Sequence, residues 1–208
     1  MAKISKPIMK RVRALGEEYA MAGDRSTAAK YIKSHHKQPP GAHGKKRMFA
    51  KLTGYGQQLK EKQKARTFYN LTEKQLKKYY TFGKRQSLST DIALLIGLER
   101  RIDNIIYRAG FTDSHRGARQ LVSHAHFRLN DKKVDIPSIQ AKVGDVITFA
   151  SKSKTLAEKL KESAQGNKPT SWLKVKPDAL TIEVVSLPER AEIEVPFDEK
   201  LIIEFYSR

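Results

Sequence analysis

Apolar side chains recur at helical spacing in several stretches of the chain, and each stretch is closed by its own stop signal. Ile102, Ile105 and Ile106 lie three and four apart, and Gly110 follows as a residue able to take the left-handed stop. Ser114 is placed to cap a second helix running to about residue 124. On that helix Ala118, Leu121, Val122 and Ala125 share one face, while Arg116, Arg119, Gln120 and Ser123 share the other. A helix that is apolar on one side and offers arginines and amides on the other is suited to touching phosphates and bases. Short strands are predicted after it, with Asn130-Asp131 as the turn between the first two.

Other elements follow from the same patterning. A helix is predicted over residues 57 to about 68, ended by Asn70. Thr72 with Gln75 forms a capping-box signature for the next helix, and Leu71 and Leu76 form its hydrophobic staple. Leu76, Tyr79 and Tyr80 are expected to face inward there, with Lys74, Lys77 and Lys78 outward and Gly83 as the stop. Residues 89–91 can cap a helix from 92 to about 109 despite Gly97. A short helix over 155–164, a loop over 165–169, and strands over 172–175 and 180–184 come next. Residues 197–206 are apolar enough to form a docked terminal helix. Residues 1–51, interrupted by Pro39, Pro40, Gly41 and Gly44, are expected to hold a short helix or two and a loop shaped by a partner.

Charge changes this picture from a fold to a function class. The 208 residues carry a formal +19 with a pI near 10, which points to a polyanionic partner. Residues 1–90 hold 22 Lys and Arg against 5 Asp and Glu, a net of +17; residues 91–208 hold 19 against 17, a net of +2. The front is therefore expected to be the main phosphate-binding region. There is no cysteine, which excludes a disulfide framework and a thiolate metal site. No stretch has the apolar length of a membrane span. The first fifteen residues are basic and partly amphipathic, but Glu17, Glu18 and Asp24 follow and no secretory core is present, so an organelle address is not expected.

Candidate chemistry is thin. Asp113, Ser114 and His115 supply a triad's residue types, yet neighbours in sequence cannot converge on one reacting atom, and a capping turn explains them. His124 and His126 could share a face as metal ligands, but no third ligand is placed beside them. His35 and His36 lie in the basic front and are expected to meet RNA or water. The glycines of residues 41–46 lack the spacing of a nucleotide-binding loop and suit a backbone passing close to phosphates. No enzyme, cofactor or metal is expected.

Several motifs carry a family resemblance. RIDNIIYRAGF (101–111), ARQLVSH (118–124), VDIPS (134–138) and GDVI (144–147) resemble the RNA-binding module of the bacterial ribosomal protein S-four family. GAHG (41–44), YGQQLKEKQKAR (55–66), KPTSWL (168–173), LPER (187–190) and LIIEFYSR (201–208) match in the same order. Without cysteines, the chain resembles the form that has no zinc site. The departures are His115-Arg116 where relatives often have two arginines, Ala125 in place of a usual glycine, and Asn130-Asp131 in place of Asn-Gly.

The expected fold is α+β. A basic, mostly helical domain (1–90, joined by 196–208) accompanies an α/β domain (91–195), whose RNA-binding module of two helices and a small antiparallel sheet spans about 98–160. The resemblance implies a cytoplasmic structural constituent of the small ribosomal subunit that binds the 5′ domain of its rRNA early in assembly. It also implies contact with ribosomal protein S-five and with mRNA where mRNA enters, with an effect on translational accuracy. No membrane partner and no homo-oligomer are expected. Two other functions remain open: a free RNA-binding translational repressor, and an accessory module of an RNA-modifying enzyme.

Candidate RNA contacts in the front are Lys6, Lys10, Arg11, Arg13, Lys45, Lys46, Arg47 and Lys51, then Tyr55, Gln58, Lys62 and Arg66 on the first long helix. In the module they are Arg101, His115, Arg116, Arg119, Gln120, Ser123 and His124, with Lys132 and Lys133 on the hairpin. Glu189, Arg190, Glu192 and Glu199 are expected on a surface that meets a protein neighbour.

Overall fold

A computed structural model describes residues 7–44, 46, 51–151 and 153–208. The chain forms two compact units, Met1–Leu94 with Glu194–Arg208, and Leu95–Ile193.

The first unit is helical. Helices α1 (Met9–Leu15), α2 (Glu17–Ala22) and α3 (Arg25–Ile32) come before α4 (Gly54–Phe68) and α5 (Glu73–Gly83). Asp24 caps α3 by accepting from Thr27 N–H at 2.9 Å. Helix α4 starts three residues before its sequence expectation, because Thr53 Oγ1 accepts from Gly56 N–H (3.2 Å) and so caps an earlier turn. Asn70 leaves α4 with φ +53°, and Thr72 and Gln75 then form the complete capping box of α5. The terminal helix α10 (Glu199–Ser207) packs on α4, with Ile202 fully buried. Phe197, just before it, meets Phe68 and Tyr69 edge-on at ring distances of 6.3 and 6.2 Å.

The second unit is α+β. Helix α6 (Thr90–Glu99) leads into it, followed by α7 (Ile102–Arg108), α8 (His115–Ser123) and α9 (Lys154–Gly166). Five antiparallel strands are β1 (Phe127–Leu129), β2 (Lys132–Val134), β3 (Val146–Phe149), β4 (Leu173–Lys176) and β5 (Thr181–Val184), in the order β2-β1-β3-β5-β4. Phe127, Val134, Ile147 and Ile182 point to one side and join Ile105, Ile106, Val122 and Leu160 of the helices in a common core. Gly110 follows α7 with φ +83°, and a Cβ there would meet that of Asn167 at 2.8 Å; only glycine fits.

Three expectations are corrected here. The single helix over 92–109 is two helices, because Arg101 is extended (φ −65°, ψ 138°) and bridges Gln140. Ala141 N–H donates to Arg100 O (2.9 Å) and Ile102 N–H to Ile139 O (3.0 Å), so residues 139–141 take hydrogen bonds that a continuous helix would have kept. Ala125 lies beyond α8 with φ +56° rather than on its apolar face, and Leu121 is only half-buried. Helix α9 continues through Gly166, into the segment expected to be loop. The Asn130-Asp131 turn has positive φ at both residues (+47° and +63°). Asn130 offsets that strain with its side chain, donating to Asp145 Oδ1 (2.8 Å) and accepting from Val146 N–H (2.9 Å).

Candidate nucleic-acid interface

Two buried polar networks set the position of α8. In one, the Arg101 guanidinium donates twice to Asp103, Nε to Oδ1 at 2.9 Å and Nη2 to Oδ2 at 2.7 Å, and Arg119 Nη1 approaches the same carboxylate at 3.9 Å. In the other, Arg108 forks onto Glu99 (3.0 and 2.8 Å), and Asn104 Nδ2 also donates to that carboxylate. Asn104 then has its Oδ1 free to accept, and His115 Nε2 donates to it at 2.9 Å. The His115 ring lies 3.8 Å from that of Tyr107. Arg101 and Glu99 are each 1% exposed, so these pairs lock the helices instead of meeting solvent. What remains outward is half-exposed Arg116 with exposed Gln120, Ser123 and His124, and the exposed hairpin lysines Lys132 and Lys133.

In the first unit Glu73 gathers a second set of cations. Lys62 Nζ lies 2.9 Å from Glu73 Oε1 and 3.9 Å over the Phe205 ring, and Arg66 Nη1 donates to Glu73 Oε2 at 3.3 Å. Tyr206 O–H donates to the same carboxylate at 2.7 Å. Burial works against the charge on Glu73, but hydrogen bonds from Lys62 and Tyr206 and the charges of Lys62 and Arg66 outweigh it. Its carboxyl is held below the usual carboxylate range. Burial, and then Glu73 itself, push the Tyr206 phenol up. Gln58 Nε2 donates to Glu204 Oε2 (2.9 Å), and Asp198 N–H donates to Glu61 Oε2 (3.0 Å). Helix α10 is thereby clasped to α4 along its length.

Comparison with known proteins fits this geometry. Residues 3–99 match the family described as ribosomal protein S4/S9 N-terminal domain, and residues 100–147 match the S4 domain. The two matches meet at the break between α6 and α7. Over its full length the chain is 43% identical to small ribosomal subunit protein uS4A of Alkaliphilus oremlandii, and 40% identical to small ribosomal subunit protein uS4 of Syntrophomonas wolfei. It is 41% identical to uS4 of Citrifermentans bemidjiense, and all three relatives are themselves covered completely. The chain belongs to the uS4 family.

Set against that membership, the expected contact residues separate into two groups. Lys10, Lys46, Lys51 and Tyr55 are exposed, and Arg11 and Arg13 are half-exposed. The Tyr55 ring also packs against that of Phe205, tilted by 33° at 5.7 Å. Lys6, Lys45 and Arg47 lie outside the described residues. Arg101, His115 and Arg119 are corrections: expected outward, they are buried because Asp103 and Asn104, on the preceding helix, offer acceptors beneath them. Gln58 and Lys62 are corrected likewise, since Glu204 and Glu73 draw them under α10, and Arg66 is partly buried against Glu73.

The acidic surface divides too. Glu189 and Arg190 are exposed, and Glu192 is tied down by Ser171 and by Glu189 N–H (3.1 Å). The Ser171 hydroxyl and then the Glu189 amide hold the Glu192 carboxyl below its ordinary range. Glu199, expected on the same outward surface, is 8% exposed in the first turn of α10 and is corrected to an internal position. Sequence reasoning missed Asp103, Glu99, Arg108 and Glu73 as organisers. The spacing of Arg101 with Asp103, and of Glu99 with Arg108, was the available signal for the first three. For Glu73 no local signal existed, since its partner Tyr206 is 133 residues away.

Among the described residues no helix is long and apolar enough to cross a membrane, and no three His, Asp or Glu side chains are grouped to hold a metal. His124 and His126 stack at 6.0 Å instead.

Proposed function

We infer that this chain is a structural, rRNA-binding constituent of the small ribosomal subunit. The observation that carries it is the outward side of α8, where Arg116, Gln120, Ser123 and His124 stand together on a helix fixed from beneath by buried ion pairs. A surface held that rigidly, with cation, amide and imidazole donors, recognises RNA by shape and phosphate contact and performs no chemistry. The uS4 membership supplies the ribosomal context.

The finer assignment extends the same reading. The rRNA target is the 5′ domain of the small-subunit RNA, bound in the cytoplasm early in assembly. The first unit, together with the terminal helix, is the principal phosphate-binding domain, and the second contributes the module. Exposed Glu189 and Arg190 suit a basic protein neighbour, namely ribosomal protein S-five. Lys46 and Lys51 suit mRNA where it enters the subunit, with consequences for accuracy. The test is sucrose-gradient fractionation of cell extract in high salt. Stoichiometric cosedimentation with small subunits is expected. Recovery of the bulk of the chain free of subunits would favour a free repressor instead.

A further inference from the structure

The side of the sheet turned away from the helices carries a line of cations, and the hairpin lysine Lys133 belongs to that line and not to the α8 surface. Arg128 of β1 is the register partner of Lys133 on β2 and of Thr148 on β3. Thr148 partners Thr181 on β5, and Thr181 partners Lys176 on β4. Five side chains, Lys133, Arg128, Thr148, Thr181 and Lys176, therefore form one transverse row across all five strands. Their neighbours Phe127, Val134, Ile147 and Ile182 point the other way, into the core. Arg128, Lys133 and Lys176 are exposed, and the two threonines half-exposed. At about 4.8 Å between strands the row spans about 19 Å.

The arrangement is unfavourable for the isolated fold. Arg128 and Lys133 sit directly opposite each other, where like charges destabilise a strand pair. Among the described residues no carboxylate forms an ion pair with Arg128, Lys133 or Lys176. Asp131 and Asp135 flank Lys133 along the chain without pairing to it. Glu183 shares this face, but its register partner is Lys174, so it offsets that lysine and leaves the row basic. Three unpaired cations in a line, with the Thr148 hydroxyl between them and the Thr181 hydroxyl turned back to Ala179 O (3.1 Å), match a partner whose negative charges also run in a line.

We propose that this outer sheet face is a second RNA-binding surface, taking the phosphate backbone of an RNA strand along the row from Lys133 to Lys176. It rests on the reading of the chain as an RNA-binding protein. It adds a surface on the opposite side of the same unit from α8, so one module can be held by RNA on two sides. Recognition there is of backbone, without base readout, because lysine and arginine ends spaced along a flat sheet reach phosphates and not groove edges.

The test compares the full chain with its Arg128→Ala/Lys133→Ala/Lys176→Ala variant. Binding to a transcript of the 5′ rRNA domain and to a structureless uridine oligomer is measured across a salt series. For the variant the slope of log K against log salt should fall by about 2–3, since each lost phosphate contact removes about 0.7–0.9. Its thermal melt should be unchanged or slightly higher, because a like-charge pair is gone. The charge-preserving pair Arg128→Lys/Lys133→Arg should keep the slope. If the wild-type chain binds the transcript and the triple variant shows the same affinity and slope, the proposal is overturned while the ribosomal reading stands. Row-dependent binding of the uridine oligomer without binding of the transcript would support the surface and sink the ribosomal reading. Polyglutamate displacing RNA from the row as well as an RNA of equal charge would assign the face to an acidic protein and overturn the proposal.

Discussion

The first unit carries 24 Lys and Arg against 10 Asp and Glu, and the second 17 against 12. Yet it is the second, nearly balanced unit that buries its arginines. Arg101 and Arg119 converge on Asp103, Arg108 forks onto Glu99, and all of them lie under or beside α8. In the first unit Lys62 and Arg66 share Glu73, which is partly exposed, and most other cations among the described residues are exposed. Two kinds of basic surface result. The first unit attracts a polyanion by surplus charge. The second shapes a small outward patch by spending acids on the arginines beneath it. Net charge distinguishes the first from a neutral surface but says nothing about which arginines of the second are available.

The sharpest break of that comparison is to remove an acid from the second unit and cations from the first. Asp103→Ala leaves Arg101, which is 1% exposed, without its carboxylate, and a buried charge stripped of its partner costs about 3–5 kcal/mol. Chemical denaturation should show that loss; a cost below about 1 kcal/mol would mean that water reaches the pair and that α8 is not fixed from beneath. Neutralising the first unit should do the opposite. Lys10→Ala/Lys46→Ala/Lys51→Ala is expected to leave the melt unchanged and lower the salt slope of rRNA binding by about 2–3. An unchanged slope would move the phosphate contacts elsewhere.

Within α8 the contrast narrows to two arginines three residues apart. Arg116→Ala should weaken rRNA binding by about 1–2 kcal/mol, one charge-assisted contact, with the melt little changed because the side chain is half-exposed. Arg119→Ala should instead lower the melting temperature, since Arg119 is 6% exposed and faces Asp103. Equal melts for the two variants would mean that the helix faces are misassigned.

Much of this was legible in sequence wherever the cause is local. Thr72 and Gln75 predicted the start of α5 because a capping box involves only residues three apart, and Ser114 predicted the start of α8 for the same reason. The faces of α8 were half legible. Helical spacing says that Arg116 and Arg119 share a side, but not that Asp103, on the preceding helix, lies beneath the second of them. The break at Arg101 was hidden because it is made by residues 139–141, about forty positions on, whose backbone takes the hydrogen bonds. The clasp on α10 was hidden in the same way, since Gln58 and Glu204 are 146 residues apart. What the sequence could not supply was the acceptor that turns a surface cation into an internal one.

The smallest effect tests the Glu73 clasp by pH. Because the folded-state pKa of Glu73 is depressed, its charge contributes stability that is fully present above the ordinary carboxylate value near 4.5. That contribution is lost as pH falls through the depressed value. Glu73→Gln should therefore cost about 1 kcal/mol at neutral pH, a modest figure because the side chain is 41% exposed and solvent screens its pairs. The difference from wild type should hold constant down to the ordinary carboxylate range and shrink below it, where the wild-type carboxyl is itself protonated. Tyr206→Phe removes one hydrogen bond from the same carboxylate and should cost about half as much, with the same acid-side convergence. Denaturation midpoints measured at a series of pH values would check both. A wild-type advantage that grew on acidification would mean that burial, and not the Lys62, Arg66 and Tyr206 contacts, governs Glu73, and that α10 is held by its apolar face alone.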